Sequence, residues 1–241
     1  MGSTDLNAIW IYLSASPLAG LTITLMAYVA AQNLYVKFNH NPLLHPVVIA
    51  AAMLITFLQL TNTPYEDYFK GGQYVHFLLG PATVALAIPM YQQLSKIKQM
   101  WLPISVALIS GVCVAAISSI TIAQFLGASI ETQLSLAPKS VTAPVAMAIS
   151  EQIGGLPSLT AVLVVVTGIL GAIFGTKILS VINIKDDSIK GIAMGITAHG
   201  IGTARAFQVS PEMGAFSGLA MAMATFTTAF ILPYLVIWMG M

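Results

Sequence analysis

Long apolar runs, separated by short segments that carry the charges, dominate the pattern of this chain. Uncharged runs such as 6–36, 99–130, 152–176 and 213–241 exceed the roughly 20 residues that a helix needs to cross a bilayer. Hydrophobicity on all sides of a helix over such a length is typical of a membrane span, and not of a helix on the surface of a soluble domain. The pattern therefore predicts an all-α polytopic membrane protein.

We expect about six full transmembrane helices. One of them is a hydrophobic segment from Gly71 to Pro89, which Gly80-Pro81 interrupts. Proline removes a helical hydrogen-bond donor and clashes with the preceding turn, so this segment is predicted to be kinked or broken there. The other five are continuous apolar runs at residues 7–30, 45–61, 101–126, 157–178 and 212–239.

Two further segments carry helix breakers near their middle. Segment 131–152 is broken at Ala137-Pro138, and segment 189–208 is broken at His199-Gly200-Ile201-Gly202. Backbone of this kind is tolerated at membrane depth only where protein or a water-filled cavity satisfies its hydrogen bonds. These segments, together with the interrupted one before them, are the two or three broken or re-entrant segments that we expect.

The lysines of the loops predict the topology. Positive-inside bias places Lys37, Lys96 with Lys98 and the loop 177–190 in the cytoplasm. The count of crossings then makes both broken segments re-entrant hairpins that enter from opposite sides. The alternative, in which each broken segment crosses the membrane as a single span, stays open.

Short internal echoes indicate a repeat. Gly80-Pro81-Ala82-Thr83-Val84 is similar to Ala137-Pro138-Lys139-Ser140-Val141 at an offset of 57 residues, and a weaker echo at offset 61 pairs Ala137 with Ala198. Secondary transporters often contain such repeats. We therefore expect one integral membrane transport domain over residues 1–241, with chance similarity in an apolar chain as the alternative.

Composition agrees with the membrane assignment and narrows the classes of partner. The chain is 57% hydrophobic and 7% charged, against about 25% charged residues in soluble domains. Its net charge of +1, from scattered lysines, leaves no basic surface for nucleic acid. The single cysteine, Cys113, excludes an internal disulfide. No basic segment precedes the first apolar run, so we expect this run to remain as a span.

Two cations lie among apolar and small residues. Arg205 is the only arginine of the chain, and Lys139 lies in similar surroundings at the other broken segment. A charge inside a membrane segment costs about 2.5 to 3.5 kcal/mol on insertion scales and usually marks a pathway or site. Lys139 offers a point charge, and Arg205 a planar fork that matches a carboxylate. We predict an anion site, with two interfacial anchors as the alternative.

Hydroxyl groups and helix breakers flank both cations. A half-helix that begins in mid-membrane presents free N–H groups and the positive end of its dipole to an anion. His199 is either a ligand of the substrate or a helix-breaking residue satisfied by backbone. The predicted substrate site comprises, besides the two cations, Ser140, Thr142, His199, Gly200, Gly202 and Thr203.

Two carboxylates close the broken segments. Glu151 and Glu212 are candidates for a coupling carboxylate or for partners of Lys139 or Arg205, and the alternative is a carboxylate at an interfacial helix end. The four histidines have no metal-ligand spacing, and no nucleophile–base set is present. We therefore expect no metal, no cofactor and no enzymatic activity.

Six motifs in order along the chain resemble the LrgB/CidB family, from about residue 5 to the C-terminus. One departure is Thr142-Ala143-Pro144, where the family usually has a second threonine. The motifs are Tyr68-Phe69-Lys70-Gly71-Gly72-Gln73-Tyr74, Leu78-Leu79-Gly80-Pro81-Ala82-Thr83-Val84-Ala85-Leu86, Pro138-Lys139-Ser140-Val141-Thr142, Ile149-Ser150-Glu151-Gln152-Ile153-Gly154-Gly155, His199-Gly200-Ile201-Gly202-Thr203-Ala204-Arg205 and Gly214-Ala215-Phe216-Ser217-Gly218-Leu219-Ala220.

The resemblance implies two different functions. Bacterial members are described as antiholin-like inner-membrane proteins linked to murein hydrolase export and cell lysis, beside a small holin-like partner of the LrgA/CidA type. A plastid relative is a glycolate and glycerate translocator, and bacterial pairs are associated with pyruvate uptake. The resemblance therefore also implies a multi-pass protein of the bacterial inner membrane, and we expect a homo-oligomer.

We favour a secondary transporter of small monocarboxylates of the glycolate, glycerate or pyruvate type. Lys139 and Arg205 would bind the carboxylate, and nearby hydroxyls would meet a 2-hydroxy or 2-keto oxygen. The alternative is an antiholin-like regulator that acts with a holin-like partner. For that role a seam of small residues facing the partner, such as Gly168-x-x-Gly171-x-x-x-Gly175, would matter more than the cations.

Overall fold

The computed structural model describes residues 17–38, 44–85 and 87–241, and the regular secondary structure in these ranges is helical. The prediction of an all-α fold is confirmed. The helices in these ranges are α1 (Pro17–Lys37), α2 (Pro46–Leu60), α3 (Tyr65–Phe77), α4 (Leu79–Ala85), α5 (Ala87–Gln92), α6 (Leu94–Gln99), α7 (Trp101–Phe125), α8 (Ile130–Leu136), α9 (Ala143–Ile153), α10 (Pro157–Val181), α11 (Asp187–Val209) and α12 (Pro211–Trp238).

Four of the described helices are long and apolar enough to cross a membrane. They are α1, from Leu18 onward, α7, α10 and α12, and the 15-residue α2 is a shorter apolar helix. At most 33% of the most apolar window of each span is buried within the chain, so most of its apolar surface is left for lipid. The chain is a polytopic membrane protein, as predicted.

Two predicted elements differ in their bounds. The first predicted span begins in residues 7–16, outside the described residues, and its predicted end at residue 30 is wrong because α1 continues to Lys37. No glycine or proline lies between Gly20 and Lys37 to stop it. The interrupted segment breaks at Leu78, so Pro81 falls in the first turn of α4, where its missing N–H leaves no hydrogen bond unmade.

The chain divides into two compact units, residues 1–85 and 86–241. In the first unit α1 packs against α2 and α3. Ala27 and Ala31 of α1 form a buried cluster with Ala50 of α2. A Cβ atom on Gly20 would lie 2.3 Å from the carbonyl oxygen of Tyr68, so glycine is required for α1 to approach α3 this closely.

In the second unit, α8, residues 137–142 and α9 form a re-entrant hairpin, which we call hairpin 1. The arms have seven and eleven residues, about 10 and 16 Å of helix, and neither can cross about 30 Å of hydrocarbon. Thr160 Oγ1, in the first turn of α10, lies 2.9 Å from the carbonyl oxygen of Ser135 in one arm and 2.7 Å from Ser150 Oγ in the other. Both arms therefore contact the same end of α10.

The helix α11 is a second hairpin, hairpin 2, with arms 187–198 and 200–209. The backbone leaves the helical region at His199, with φ 40° and ψ −133°. The two ends meet, because Ser210 Oγ lies 2.7 Å from Asp187 Oδ2. Met194 and Ala206, one from each arm, pack in the same buried cluster. Both predicted breaks are confirmed, and both segments turn back on themselves.

The two hairpins enter from opposite ends of the bundle. Hairpin 2 has its base at the start of α7, where Ser188 contacts Met100. Hairpin 1 has its base at the far end of α7, where Leu134 packs with Ile120. The lysine-bearing end belongs to hairpin 2, so positive-inside bias assigns this base to the cytoplasm. This arrangement agrees with the prediction that the two hairpins enter from opposite sides.

The bundle also has the form of an inverted repeat. The spans α7 and α10 have 25 residues each, and each is followed by a hairpin that starts from the end where that span finishes. The two spans run in opposite directions. This arrangement pairs hairpin 1 with hairpin 2, as the echo at offset 61 does, whereas the echo at offset 57 joins α4 to hairpin 1 and is not part of it. Repeats of this kind are found in many secondary transporters.

The topology predicts which introduced cysteines react from which side, in a Cys113→Ala background. Glu131→Cys and Gln152→Cys flank hairpin 1, while Lys185→Cys and Val209→Cys flank hairpin 2, and all four positions are exposed. An impermeant thiol reagent should label the first pair from outside intact cells and the second pair only after the cytoplasmic face is opened. Members of one pair reacting from opposite sides would contradict the hairpin.

Candidate functional site

The tips of the two hairpins meet on the third turn of α10. Val141, from the tip of hairpin 1, and Ala146 of α9 form a buried cluster with Val164 of α10. His199, from the tip of hairpin 2, places its ring Nε2 2.9 Å from the carbonyl oxygen of the same Val164. Val164 lies in the third turn of α10, away from both ends. One turn of α10 is thus the shared support of both breaks.

His199 forms the tip of hairpin 2. Its φ of 40° lies in the left-handed region, which is unusual for a residue with a side chain. The carbonyl of Val164 can only accept, so the ring Nε2 donates this hydrogen bond. The break lies on His199 and not on Gly200 or Gly202. Gly202 has another role, because a Cβ there would lie 2.5 Å from the Cβ of Ala198 on the other arm.

A buried pair of hydroxyls supports the tip of hairpin 2. Thr203 Oγ1 donates to the carbonyl oxygen of His199 at 2.8 Å and lies 2.9 Å from Ser217 Oγ on α12. His199, Thr203 and Ser217 are at most 5% exposed. These contacts fix the carbonyl at the break and connect the tip of hairpin 2 to α12. Sequence reasoning missed Ser217, although it lies in one of the six motifs.

The tip of hairpin 1 carries the cation Lys139. Its Nζ donates to the carbonyl oxygen of Ala115, near the middle of α7, at 3.2 Å. Ser140 and Thr142 are half-buried beside it. Thr142 is the N-cap residue of α9, but its side chain makes no capping hydrogen bond. The Thr142 side chain therefore accepts no hydrogen bond from the first-turn N–H groups of α9.

Arg205 lies on the returning arm of hairpin 2, beyond Thr203 and toward the cytoplasmic base. It is half-buried, and its Nη1 donates to Gln208 Oε1 at 3.0 Å. In the described part of the chain, Lys139 and Arg205 thus contact different partners. A carboxylate shared by the two cations stays a prediction.

The two candidate carboxylates lie at the bases of the hairpins. Glu151 is exposed in the last turn of α9. Glu212 lies in the first turn of α12, and its Oε1 is 2.6 Å from Lys96 Nζ. The expectation that Glu212 pairs with Lys139 or Arg205 is wrong, because the arms of hairpin 2 place it at the cytoplasmic end.

Hydrogen bonds at the base of hairpin 2 stabilise the charged forms of Lys96 and Asp186. The hydrogen bond to Glu212 raises the pKa of Lys96 above its ordinary value, although desolvation opposes the shift. Hydrogen bonds from Ser188, first from its hydroxyl and then from its backbone N–H, help to lower the pKa of Asp186 to about 2. Asp186 also accepts from the N–H of Ile189 and so caps hairpin 2. The base is therefore held by ionised groups at neutral pH.

The glycine seam of α10 faces hairpin 2 and not a partner protein. Added Cβ atoms would lie 2.7 Å from the His199 ring at Gly168, 2.3 Å from Ala198 at Gly171 and 2.4 Å from Met194 at Gly175. The interpretation of these glycines as a partner-facing seam is wrong, because the chain uses them to bring its own hairpin against α10.

Comparison with known proteins identifies relatives over nearly the whole chain. The model of the LrgB-like family matches residues 24–238. The uncharacterized protein YwbG of Bacillus subtilis strain 168 is 36% identical over 222 residues, which cover 92% of this chain and 98% of that protein. No solved structure matches the chain.

Two of the relatives carry functional names. The holin-like protein CidB of Staphylococcus epidermidis is 32% identical over 94% of this chain and 97% of its own length. The antiholin-like protein LrgB of Bacillus cereus is 29% identical over 93% of this chain and 98% of its own length. Both relatives therefore span the hairpins as well as the first unit.

Gly168→Ala should destabilise the fold, because its Cβ would meet the His199 ring at 2.7 Å. We expect a loss of about 1 to 3 kcal/mol, as for other overpacked sites, measured by denaturant unfolding in detergent. Gly200→Ala is the matched control, since an added Cβ there meets only Met221 Sδ, at 4.0 Å. Equal losses in the two variants would contradict the proposed packing of tip 2, residues 199–203, on α10.

Asp186→Ala should lower stability by about 1 kcal/mol at pH 7 through loss of the cap. The folded-state pKa of about 2 lies below the ordinary value of 3.8, so the ionised carboxylate stabilises the folded chain above about pH 4. This contribution is lost as the pH falls from about 4 toward 2. The difference between wild type and variant should shrink in this window, and a constant difference down to pH 2 would contradict the assignment.

Proposed function

This chain belongs to the LrgB-like family, and we propose that it is a secondary transporter of small monocarboxylates of the glycolate, glycerate or pyruvate type. It is a multi-pass protein of the bacterial inner membrane, as the four spans among its described residues and its holin-like relatives indicate. What we propose is that the chain moves such a carboxylate across the membrane, and the two hairpins provide the physical argument for this.

The observation that carries the proposal is the meeting of two opposed hairpin tips at Val164. Irregular backbone at membrane depth is tolerated only where it is buried in protein or lines a water-filled cavity. Secondary transporters place their binding sites where discontinuous helices meet near the midplane. A protein that only modulates a partner's pore would gain nothing from two such breaks supported by the same turn of α10.

Lys139 supports an anionic cargo. Its ammonium lies beside the middle of α7, and the carbonyl of Ala115 that accepts its hydrogen bond carries no net charge to balance it. A small carboxylate would provide the missing negative charge. The helix α9 starts shortly after Lys139, with Thr142 as its N-cap and Ala143 as its first residue. Its first turn offers N–H groups at the positive end of the helix dipole.

The remaining predicted ligands differ in how readily their side chains could reach a carboxylate at the tips. Ser140 and Thr142 lie at the tip with Lys139, and their hydroxyls suit a 2-hydroxy or 2-keto oxygen. Thr203 and His199 are engaged in holding tip 2. Arg205 would have to release Gln208 to reach a carboxylate at the tips. Gly202 lets the two arms of hairpin 2 approach each other, Gly200 remains a proposed ligand, and Glu151 and Glu212 remain the candidates for a coupling carboxylate.

The names of the relatives favour a second role more directly than the first. A holin-like and an antiholin-like protein are similar to this chain over more than nine-tenths of its length. The second proposal is therefore an antiholin-like regulator that acts with a small holin-like membrane protein. Since the glycine seam of α10 is used inside the chain, that partner would bind lipid-facing surface elsewhere, and a homo-oligomer would need such surface as well.

Uptake by the purified chain alone separates the two roles. Proteoliposomes that contain only this protein should accumulate labelled pyruvate or glycolate. Lys139→Gln should reduce the initial rate by about tenfold or more, because the buried charge that balances the cargo is lost. Lys98→Gln is the matched control, since Lys98 is exposed on α6, away from the tips, and it should keep the wild-type rate.

Two results would count against the transporter. Equal rates in Lys139→Gln and wild type would remove the anion site from tip 1, residues 137–142. The regulator would be favoured if the chain takes up no small carboxylate. In that case a holin-like protein should co-purify with the chain, and adding it should not restore uptake.

A further inference from the structure

Hairpin 1 is held to the start of α10 by buried hydroxyl groups, from the end of α8 and from α9. Ser135, Ser150 and Thr160 are each 0% exposed. Ser135 Oγ accepts from the backbone N–H of Leu156 at 2.7 Å, and Thr160 Oγ1 lies 2.7 Å from Ser150 Oγ and 2.9 Å from the Ser135 carbonyl oxygen. Separating these groups would leave buried donors and acceptors without partners, which is unfavourable. Hairpin 1 is therefore fixed to the start of α10.

The base of hairpin 2 is closed in a different way, by ion pairs at the surface. Lys96 Nζ of α6 lies 2.6 Å from Glu212 Oε1 and 3.4 Å from Asp186 Oδ2. The three side chains are 35 to 45% exposed. Water can replace partners in exposed pairs of this kind, so each contributes little to stability. These ion pairs can therefore separate without leaving their own charged groups unsatisfied, and the buried polar residue beside them is Ser188.

One side chain connects the three elements that meet there. Asp186 is the N-cap of hairpin 2, Glu212 lies in the first turn of α12, and Lys96 comes from α6, which leads into α7. The Lys96 ammonium also lies 5.7 Å from the centre of the Phe216 ring, which is fully buried on α12. Without Lys96, two carboxylates would face each other across the seam and repel.

We propose that Lys96 is a latch for the cytoplasmic base of hairpin 2, and that hairpin 2 is the element that moves while hairpin 1 stays fixed. Release of the latch would free hairpin 2 from α7 and α12 and uncover the buried Thr203 and Ser217 behind it. The proposal concerns motion and does not rest on transport of any cargo, so a failure of the uptake assay would leave it standing.

A buried cysteine at Ser217 reports the opening. Ser217→Cys in a Cys113→Ala background should react slowly with a water-soluble thiol reagent in detergent or inside-out vesicles, because Ser217 is 0% exposed. Adding Lys96→Met should raise the rate about three- to tenfold, as expected for loss of two exposed ion pairs. Lys96→Arg should restore slow labelling, and Lys98→Met is the matched control on the same helix.

An unchanged rate in Lys96→Met, or an equal rise in Lys98→Met, would overturn the latch. Hydrogen exchange of the wild-type protein tests the same asymmetry without a variant that has to fold. Amides at the base of hairpin 2, residues 186–190 and 209–213, should exchange faster than those where hairpin 1 contacts the start of α10, residues 133–136 and 153–160. Equal or reversed protection would overturn the proposal that hairpin 2 is the mobile element.

Discussion

Backbone amides cannot be left without hydrogen bonds inside a bilayer, and this constraint shapes the second unit of the chain. Its two breaks free backbone groups far from either end of the bundle. Thr203 covers the carbonyl of His199, and the His199 ring turns to the carbonyl of Val164. The break of hairpin 2 is thus enclosed by neighbouring helices, so this hairpin and the spans around it have to form together.

Small residues make that enclosure possible. The outgoing arm of hairpin 2 lies so close to α12 that a Cβ on Gly191 would be 2.4 Å from the Met213 carbonyl oxygen, and one on Gly195 2.2 Å from that of Ser217. Backbones that approach this closely gain van der Waals contact, which drives helix association where hydrophobicity cannot. The same glycines limit how far hairpin 2 can be altered without loss of the fold.

The positions of the breaks follow from the sequence, because proline and glycine act locally. Pro138 and the His199-Gly200 step mark both breaks, and lysines in the loops indicate the opposite entry of the hairpins. The partners of the tips do not follow from the sequence. His199 meets a carbonyl 35 residues away, and Lys96 meets Glu212 across 116 residues. Such pairings depend on packing that no local pattern encodes.

The glycine seam of α10 illustrates the same limit. Small residues at helical spacing predict a close contact, and a close contact is what Gly168, Gly171 and Gly175 make. The pattern does not say whether the neighbour is another protein or the same chain. Arg205 is similar, since its place in a broken segment follows from sequence, but its contact with Gln208 does not.

A cross-link within hairpin 2 tests the central claim most directly. Asp187 and Ser210 side chains are 2.7 Å apart in the hairpin, whereas a continuous helix over the same residues would hold them about 35 Å apart. With Asp187→Cys and Ser210→Cys in a Cys113→Ala background, oxidation in the native membrane should give an intramolecular disulfide in high yield. Absence of that disulfide, with both cysteines reactive toward a small thiol reagent, would show that the segment crosses the membrane and would contradict the account.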